Sequence, residues 1–261
     1  MFSANDLIEQ LKKFCFPVGC PVIVHTSMKA VGEIDGGADT LLSVLINYFT
    51  QNNGLLCVPS HTWTSLKLDL RNPESCLGVL PNIALKHPLG TRSMHPTHSM
   101  VVFGEKNKVT KFLEDESLSV TPTSPDGCYG NIIKEHGYVL LIGVDQRKNT
   151  MIHCIEELLN VPGRLTDDMI DFSIIHPDGR EEHKFLYWFD ERLIPDVSVY
   201  FHKLEPAFRY YNCVSDGVIG NAPCQFCSVD KMKTVMELIY KNADGKELLS
   251  DDTPIDEKLY K

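Results

Sequence analysis

The chain has 261 residues, of which 43% are hydrophobic and 23% charged, an ordinary globular mixture that argues against disorder. A formal charge of −10 and a pI near 5.4 argue against nucleic acid and anionic membranes as partners and suit a cationic small molecule. The longest apolar runs, such as residues 138–144, are too short to span a bilayer.

In chain order, residues 1–16 read as an amphipathic helix, with Leu7, Leu11 and Phe14 opposed to Glu9, Lys12 and Lys13. This segment lacks an apolar core and a small-residue cleavage site, so no signal peptide is expected and the location is expected to be cytoplasmic. Pro21–Thr26 is β-rich, residues 39–50 carry helical apolar spacing, and Asn52-Asn53-Gly54 stops that helix. Leu55–Pro59 is a second strand, followed by a Ser/Thr/Trp loop, and residues 99–103 are a third, ended by Gly104. Residues 108–113 read as a helix and residues 138–144 as a strand covered on both faces. Residues 150–160 are helical.

Beyond Pro162 the character changes. Residues 172–176 and 182–189 around Asp178-Gly179 predict a β-hairpin with a two-residue turn. Residues 231–242 predict a C-terminal helix, and the charged last dozen residues are expected to be mobile. The expected class is α/β: a mainly parallel central sheet flanked by helices, with a small β-hairpin lobe in the C-terminal half. One domain is expected, with its core at about residues 1–165 and 200–245 and the lobe at about 168–198. The nine cysteines lie partly in apolar runs and read as free thiols. Cys224-x-x-Cys227 suggests a zinc pair, but no second pair at suitable spacing accompanies it.

Ligands of open α/β sheets bind beyond the carboxyl ends of the strands. After the first strand come His25 to Lys29, after the second Ser60 to Thr64, and after residues 138–144 come Asp145 to Thr150 and then His153. His153 is the candidate base. Thr150 would cap its helix, whose positive end disfavours the imidazolium and keeps the ring neutral. Glu156, three residues on, would hold one ring nitrogen and leave the other for substrate. The same pair also fits a solvated helix surface. Arg92-Ser93-Met94-His95-Pro96-Thr97-His98-Ser99 is a second polar cluster. It reads as a ligand-binding loop, a packed turn, or a metal-dependent hydrolase site built from His61, His95, His98 and a carboxylate. Residues 123–130 form a turn-dense loop whose amides could bind an anion. The phosphate-loop, dinucleotide and nucleophile-elbow motifs are absent.

The order of segments resembles the aminoglycoside 3-N-acetyltransferase family. The matching stretches are Val24-His25-Thr26-Ser27-Met28 with Val31-Gly32 and Gly36-Gly37, then Gly54-Leu55-Leu56 through Pro59. Arg92-Ser93-x-His95-Pro96-x-x-Ser99 with Gly104 and Ser124-Pro125 through Tyr129-Gly130 come next. Val139 to Val144, Asn149-Thr150-x-x-His153-x-x-Glu156 and Val161-Pro162 complete them, with Gly217 to Ala222 similar to the family's closing segment.

The resemblance implies the family's α/β fold and direct transfer of acetyl from acetyl-CoA to an amine. The expected acceptor is the 3-amino group of the 2-deoxystreptamine in an aminoglycoside, or a related amine. It implies His153 as base with Glu156 as its partner, and no metal. It also implies donor contacts from His25, Thr26, Ser27, Met28, Arg92, Ser93, His95, Pro96 and Ser99. For the acceptor, Trp63, Asp69, Glu157, Asp167 and Asp168 are expected contacts. The stretch from Trp63 to Gly90 and the lobe of residues 167–195 depart from the resistance-enzyme pattern, which leaves open another amine or a metabolic role. A monomer or homodimer is expected, and a silent binding protein with the same fold is the alternative.

Overall fold

A computed structural model describes residues 1–14 and 16–261; Cys15 lies outside the described residues. The chain begins with α1 (Ala4–Lys12), β1 (Pro21–Thr26), α2 (Met28–Val31), α3 (Gly37–Phe49), β2 (Leu55–Pro59), β3 (Lys67–Asp69) and α4 (Val79–Lys86). Next are β4 (Thr91–Arg92), β5 (Met100–Phe103), α5 (Lys106–Glu114), α6 (Cys128–Lys134), β6 (Tyr138–Ile142) and α7 (Thr150–Leu158). The remainder is β7 (Ile170–Ile175), β8 (Glu181–Leu186), α8 (Glu205–Tyr210), β9 (Val214–Ile219), β10 (Ala222–Ser228) and α9 (Val229–Ala243).

Seven strands form the main sheet in the order β4-β5-β2-β1-β6-β10-β9. β1 runs parallel to β2 and to β6. The flanks are antiparallel: β5 on β2, β4 on β5, β10 on β6 and β9 on β10. The parallel part is therefore the centre of a mixed sheet, and it carries the three strand ends on which the candidate site was expected.

Both faces of this centre are covered, which is why β1, β2 and β6 read as unbroken apolar runs. Side chains alternate across the pleat. Val22, Val24, Leu56, Val58, Leu140 and Ile142 pack with α1, α3 and α4. Ile23, Cys57, Val139 and Leu141 pack with α5, α6, α7 and α9 on the other face. Leu41, Leu42 and Leu45 of α3 are fully buried, and truncation of any one to Ala would cost about 2–5 kcal/mol. α3 ends where Asn52 and Asn53 turn left-handed (φ 50° and 63°). Gly54 follows because a Cβ there would stand 2.1 Å from the Phe49 carbonyl oxygen.

The second sheet is three-stranded, β3-β7-β8. Its hairpin is confirmed, with one change to the turn. The His176 N–H donates to the Arg180 carbonyl, and Gly179 stands at φ 86°. The loop is therefore three residues, Pro177-Asp178-Gly179, with the glycine in the left-handed region such loops require. The C-terminal tail is not loose. Tyr260 is buried, its carbonyl accepts from Tyr211 Oη at 2.6 Å, and Ile255 packs into the core.

Cys224 and Cys227 fall on opposite faces of β10, one in each core cluster. An odd spacing on a strand separates their thiols across the sheet, so the zinc-pair reading fails on geometry.

Candidate active site

The carboxyl ends of β1, β2 and β6 open into a cleft of about 760 Å³. His25, His61, His98 and His153 line it. They arrive from the end of β1, the segment after β2, the turn before β5 and the first turn of α7.

α7 is capped by Asn149 rather than by Thr150: the Asn149 side chain accepts from the Met151 N–H at 3.2 Å. His153 is thereby the fourth residue of the helix, inside its positive end. Its ring stacks on Phe189 (centroids 4.4 Å apart) and meets the edge of Phe201 (4.6 Å). Burial pushes the imidazole down to about 3, Asp196 draws it upward and Arg164 pushes it further down. The ring is thus neutral at physiological pH and able to accept a proton.

Glu156 does not hold that ring. Its Oε1 accepts from Arg164 Nε at 2.8 Å and from Tyr240 Oη at 2.6 Å. Its Oε2 and the Nδ1 of His153 are both buried without a hydrogen-bond partner. The expected His–carboxylate bond is absent because the guanidinium of Arg164, itself clamped by Glu247 at 2.7 Å and 3.0 Å, has taken the carboxylate.

Among the expected donor contacts, His25 and Thr26 line the cleft, and Ser27 and Met28 do not. Met28 packs against the α3 side of the sheet, and the Ser27 N–H donates to the Ile142 carbonyl. Arg92, Ser93, His95, Pro96 and Ser99 also lie off the cleft wall, bonded inward. Arg92 Nε and Nη2 donate to Ser99 Oγ at 2.9 Å and 2.7 Å. Ser93 Oγ accepts from the Met100 N–H, and the Pro96 carbonyl accepts from Thr62 Oγ1. His95 Nδ1 accepts from the His98 N–H at 2.9 Å, and Nε2 pairs with the Thr121 carbonyl at 3.0 Å. This network shapes the turn that presents His98. Among the described residues, no group of three or more His, Cys, Asp or Glu side chains is arranged to hold a metal.

Of the expected acceptor contacts, Trp63 lines the cleft and the others do not. Asp69 is on β3, bonded to Arg71, and Asp168 is on the surface. Asp167 is exposed and paired with Arg192. Glu157 is turned inward, where it accepts from Thr121 Oγ1, Thr123 Oγ1 and the Thr123 N–H; burial lifts it to about 7.

The acidic wall is instead Asp190, Glu191 and Asp196, on the strap that follows β8. Asp190 is neutralised by Arg192 at 2.7 Å, and Asp196 caps Ser198. Glu191 is exposed and uncommitted among the described residues. Arg147, paired with Asp145, and Lys148 also line the cleft, on a turn packed against the segment that Asp196 caps. The run Trp188-Phe189-Asp190-Glu191, aromatic then acidic ahead of Pro195, was the available signal for this strap.

A sequence model of the family described as aminoglycoside 3-N-acetyltransferase matches residues 23–240. The chain is 23% identical over 274 residues to the SPbeta prophage-derived aminoglycoside N(3')-acetyltransferase-like protein YokD of Bacillus subtilis, covering 94% of this chain and 95% of YokD. It is 26% identical over 234 residues to aminoglycoside N(3)-acetyltransferase VII of Streptomyces paromomycinus, covering 78% and 79% of the two chains. Among solved structures, a mutant of aminoglycoside acetyltransferase AAC(3)-IVa in complex with gentamicin gives a TM-score of 0.77 at 20% identity, covering 92% of this chain and 88% of that one. The binary complex of AAC-IIIb with CoASH gives 0.76 at 21% identity, covering 89% and 93%. At these identities the structural likeness is one of fold. No helix among the described residues is long and apolar enough to cross a membrane.

Proposed function

The chain belongs to the aminoglycoside 3-N-acetyltransferase family and is an acyltransferase, and from that premise we propose that it transfers acetyl from acetyl-CoA to an amine, with His153 as general base. The observation that carries this reading is the His153 imidazole in the first turn of α7, kept neutral by its burial and lining a cleft that bears both cationic side chains and carboxylates. Lys148 and Arg147 suit the phosphates of the donor, and Glu191 and Asp196 suit a cationic acceptor.

An ammonium cannot attack a thioester, and the nitrogen becomes far more acidic as its bond to the acyl carbon forms. A neutral ring, even a weak base, takes the proton at that stage. Collapse of the tetrahedral intermediate expels the CoA thiolate, and the proton passes from His153 to the sulfur. Glu156 is a positioning residue in this scheme: its bonds to Arg164 and Tyr240 fix α7 against the segment after it and against α9.

The acceptor is an amine of an aminoglycoside or a related amine. Acceptor-dependent release of the CoA thiol tests the reading. A protein that binds acetyl-CoA yet releases no thiol with any amine contradicts it.

A further inference from the structure

His61 forms a three-ring cluster in the cleft with Trp63 (centroids 4.8 Å apart) and His98 (4.4 Å), each tilted against it, while Trp63 and His98 themselves meet at 5.3 Å. It is 2% exposed and lines the cleft, its ring held by these contacts and by Tyr129. Its Nε2 is 2.7 Å from Tyr129 Oη, and its Nδ1 is buried without a partner.

The Tyr129 contact favours one tautomer. Tyr129 is buried, and burial drives its phenol far above the ordinary tyrosine value, so the hydroxyl keeps its proton. A buried hydroxyl hydrogen requires an acceptor. Among the described residues the acceptor beside Tyr129 Oη is His61 Nε2. Tyr129 therefore donates to Nε2, the ring stays neutral, and its one proton resides on Nδ1. His25 has an unpartnered Nε2 as well, but nothing fixes which of its nitrogens carries the proton.

We propose that His61 is a further catalytic residue, whose Nδ1–H donates a hydrogen bond to the carbonyl oxygen of the acetyl thioester as that oxygen becomes an oxyanion. This rests on the acetyl-transfer reading above. When the amine lone pair forms the N–C bond, the carbonyl π pair moves to oxygen and is held by Nδ1–H. His153 removes the nitrogen's proton, the C=O bond reforms, and the C–S bond breaks with its pair leaving on sulfur. His61 transfers no proton: it polarises the carbonyl as a neutral donor, which needs no reorganisation at the moment of reaction. Tyr129 is the positioning residue that sets the tautomer.

The test combines histidine-selective ¹⁵N NMR with variants. In the wild-type protein the His61 resonances report an Nδ1–H tautomer. That proton shifts downfield with acetyl-CoA and stays in place with CoA, which lacks the carbonyl. Tyr129→Phe moves the population toward the Nε2–H tautomer. In the CoA-release assay, His61→Phe lowers kcat about 10²–10³-fold with acetyl-CoA affinity unchanged. His61→Asn, whose amide N–H lies near the Nδ1 position, recovers at least tenfold of that loss. An Nε2–H tautomer in the wild type, an equal response to acetyl-CoA and CoA, or full turnover in His61→Phe overturns the proposal. The NMR arm reads the contact without turnover. An acetyl-specific shift in a protein that releases no thiol with any amine therefore supports the contact and sinks only the transfer reading.

Discussion

Arg164 and Glu156 form a buried ion pair: Nε donates to Oε1 at 2.8 Å, and the two side chains are 5% and 1% exposed. The pair ties α7, which carries His153, to the segment that starts the second sheet and, through Glu247, to the C-terminal segment. Arg164→Ala leaves Glu156 buried with only Tyr240 as partner. Such a loss costs about 3–5 kcal/mol, and urea unfolding of the variant measures it. A cost below about 1 kcal/mol would show that Glu156 does not depend on the guanidinium.

Acid should unfold this protein early. Burial holds His25, His61, His95, His98 and His153 below the ordinary histidine value. The unfolded chain binds these protons at about pH 6.5 and the folded chain does not. The stability these residues permit is fully present above that pH and is lost as the pH falls through it. Each costs about 1.4 kcal/mol per pH unit below that point. Glu156 and Glu157 are raised, Glu157 to about 7. They act in the opposite sense and offset part of the loss. Five such histidines outnumber the two carboxylates, so unfolding below about pH 6.5 takes up protons net and stability falls as the pH falls. Urea midpoints at a series of pH values read the slope directly, and stability unchanged on acidification from neutral contradicts the buried neutral histidines.

Thiol accessibility gives a separate check on the core. The eight described cysteines are free; Cys76 is exposed, Cys20 is partly so, and the other six are buried. Burial pushes those six thiols above the ordinary cysteine value. In native protein a thiol reagent should modify Cys76 first and Cys20 next, with the six reached only on unfolding. Mass mapping of a timed reaction shows the order. Early labelling of Cys224 or Cys227 would mean that β10 is not covered on both faces.

The cleft's free carboxylate should tune the acceptor and leave the donor alone. Glu191→Gln removes an exposed charge, worth about 0.5–1 kcal/mol at such a site. KM for a polycationic amine should rise two- to fivefold, less at high salt, with KM for acetyl-CoA unchanged. Equal effects on both substrates would place Glu191 elsewhere in the reaction.

The strands at the centre of the sheet were legible because they are buried on both faces. Pro21–Thr26 and Leu55–Pro59 stand where their unbroken apolar runs put them, and His153 lies at the cleft because a strand end, a cap and a helix start are local signals. The antiparallel flank was not legible. β9 is an edge strand with exposed Ser215 and Asp216 and a glycine at 217, and its pattern resembles a loop. The Glu156 assignment failed for a different reason. Helix spacing predicts that residues three apart share a side, but it cannot foresee a distant guanidinium arriving from Arg164. The inward turn of Arg92 to Ser99 and the acidic strap of residues 190–196 were hidden in the same way, since both depend on what meets a loop in space.

The central claim is that His153 takes the proton from the attacking amine. The direct measurement is CoA-thiol release from acetyl-CoA over a panel of aminoglycosides and simpler amines, with wild type and His153→Ala side by side and acetyl-CoA affinity recorded for both. The account predicts amine-dependent release by the wild type, a fall of about 10²–10⁴ in kcat for the variant, and equal acetyl-CoA affinity. A His153→Ala protein that binds acetyl-CoA and turns over at the wild-type rate would contradict it.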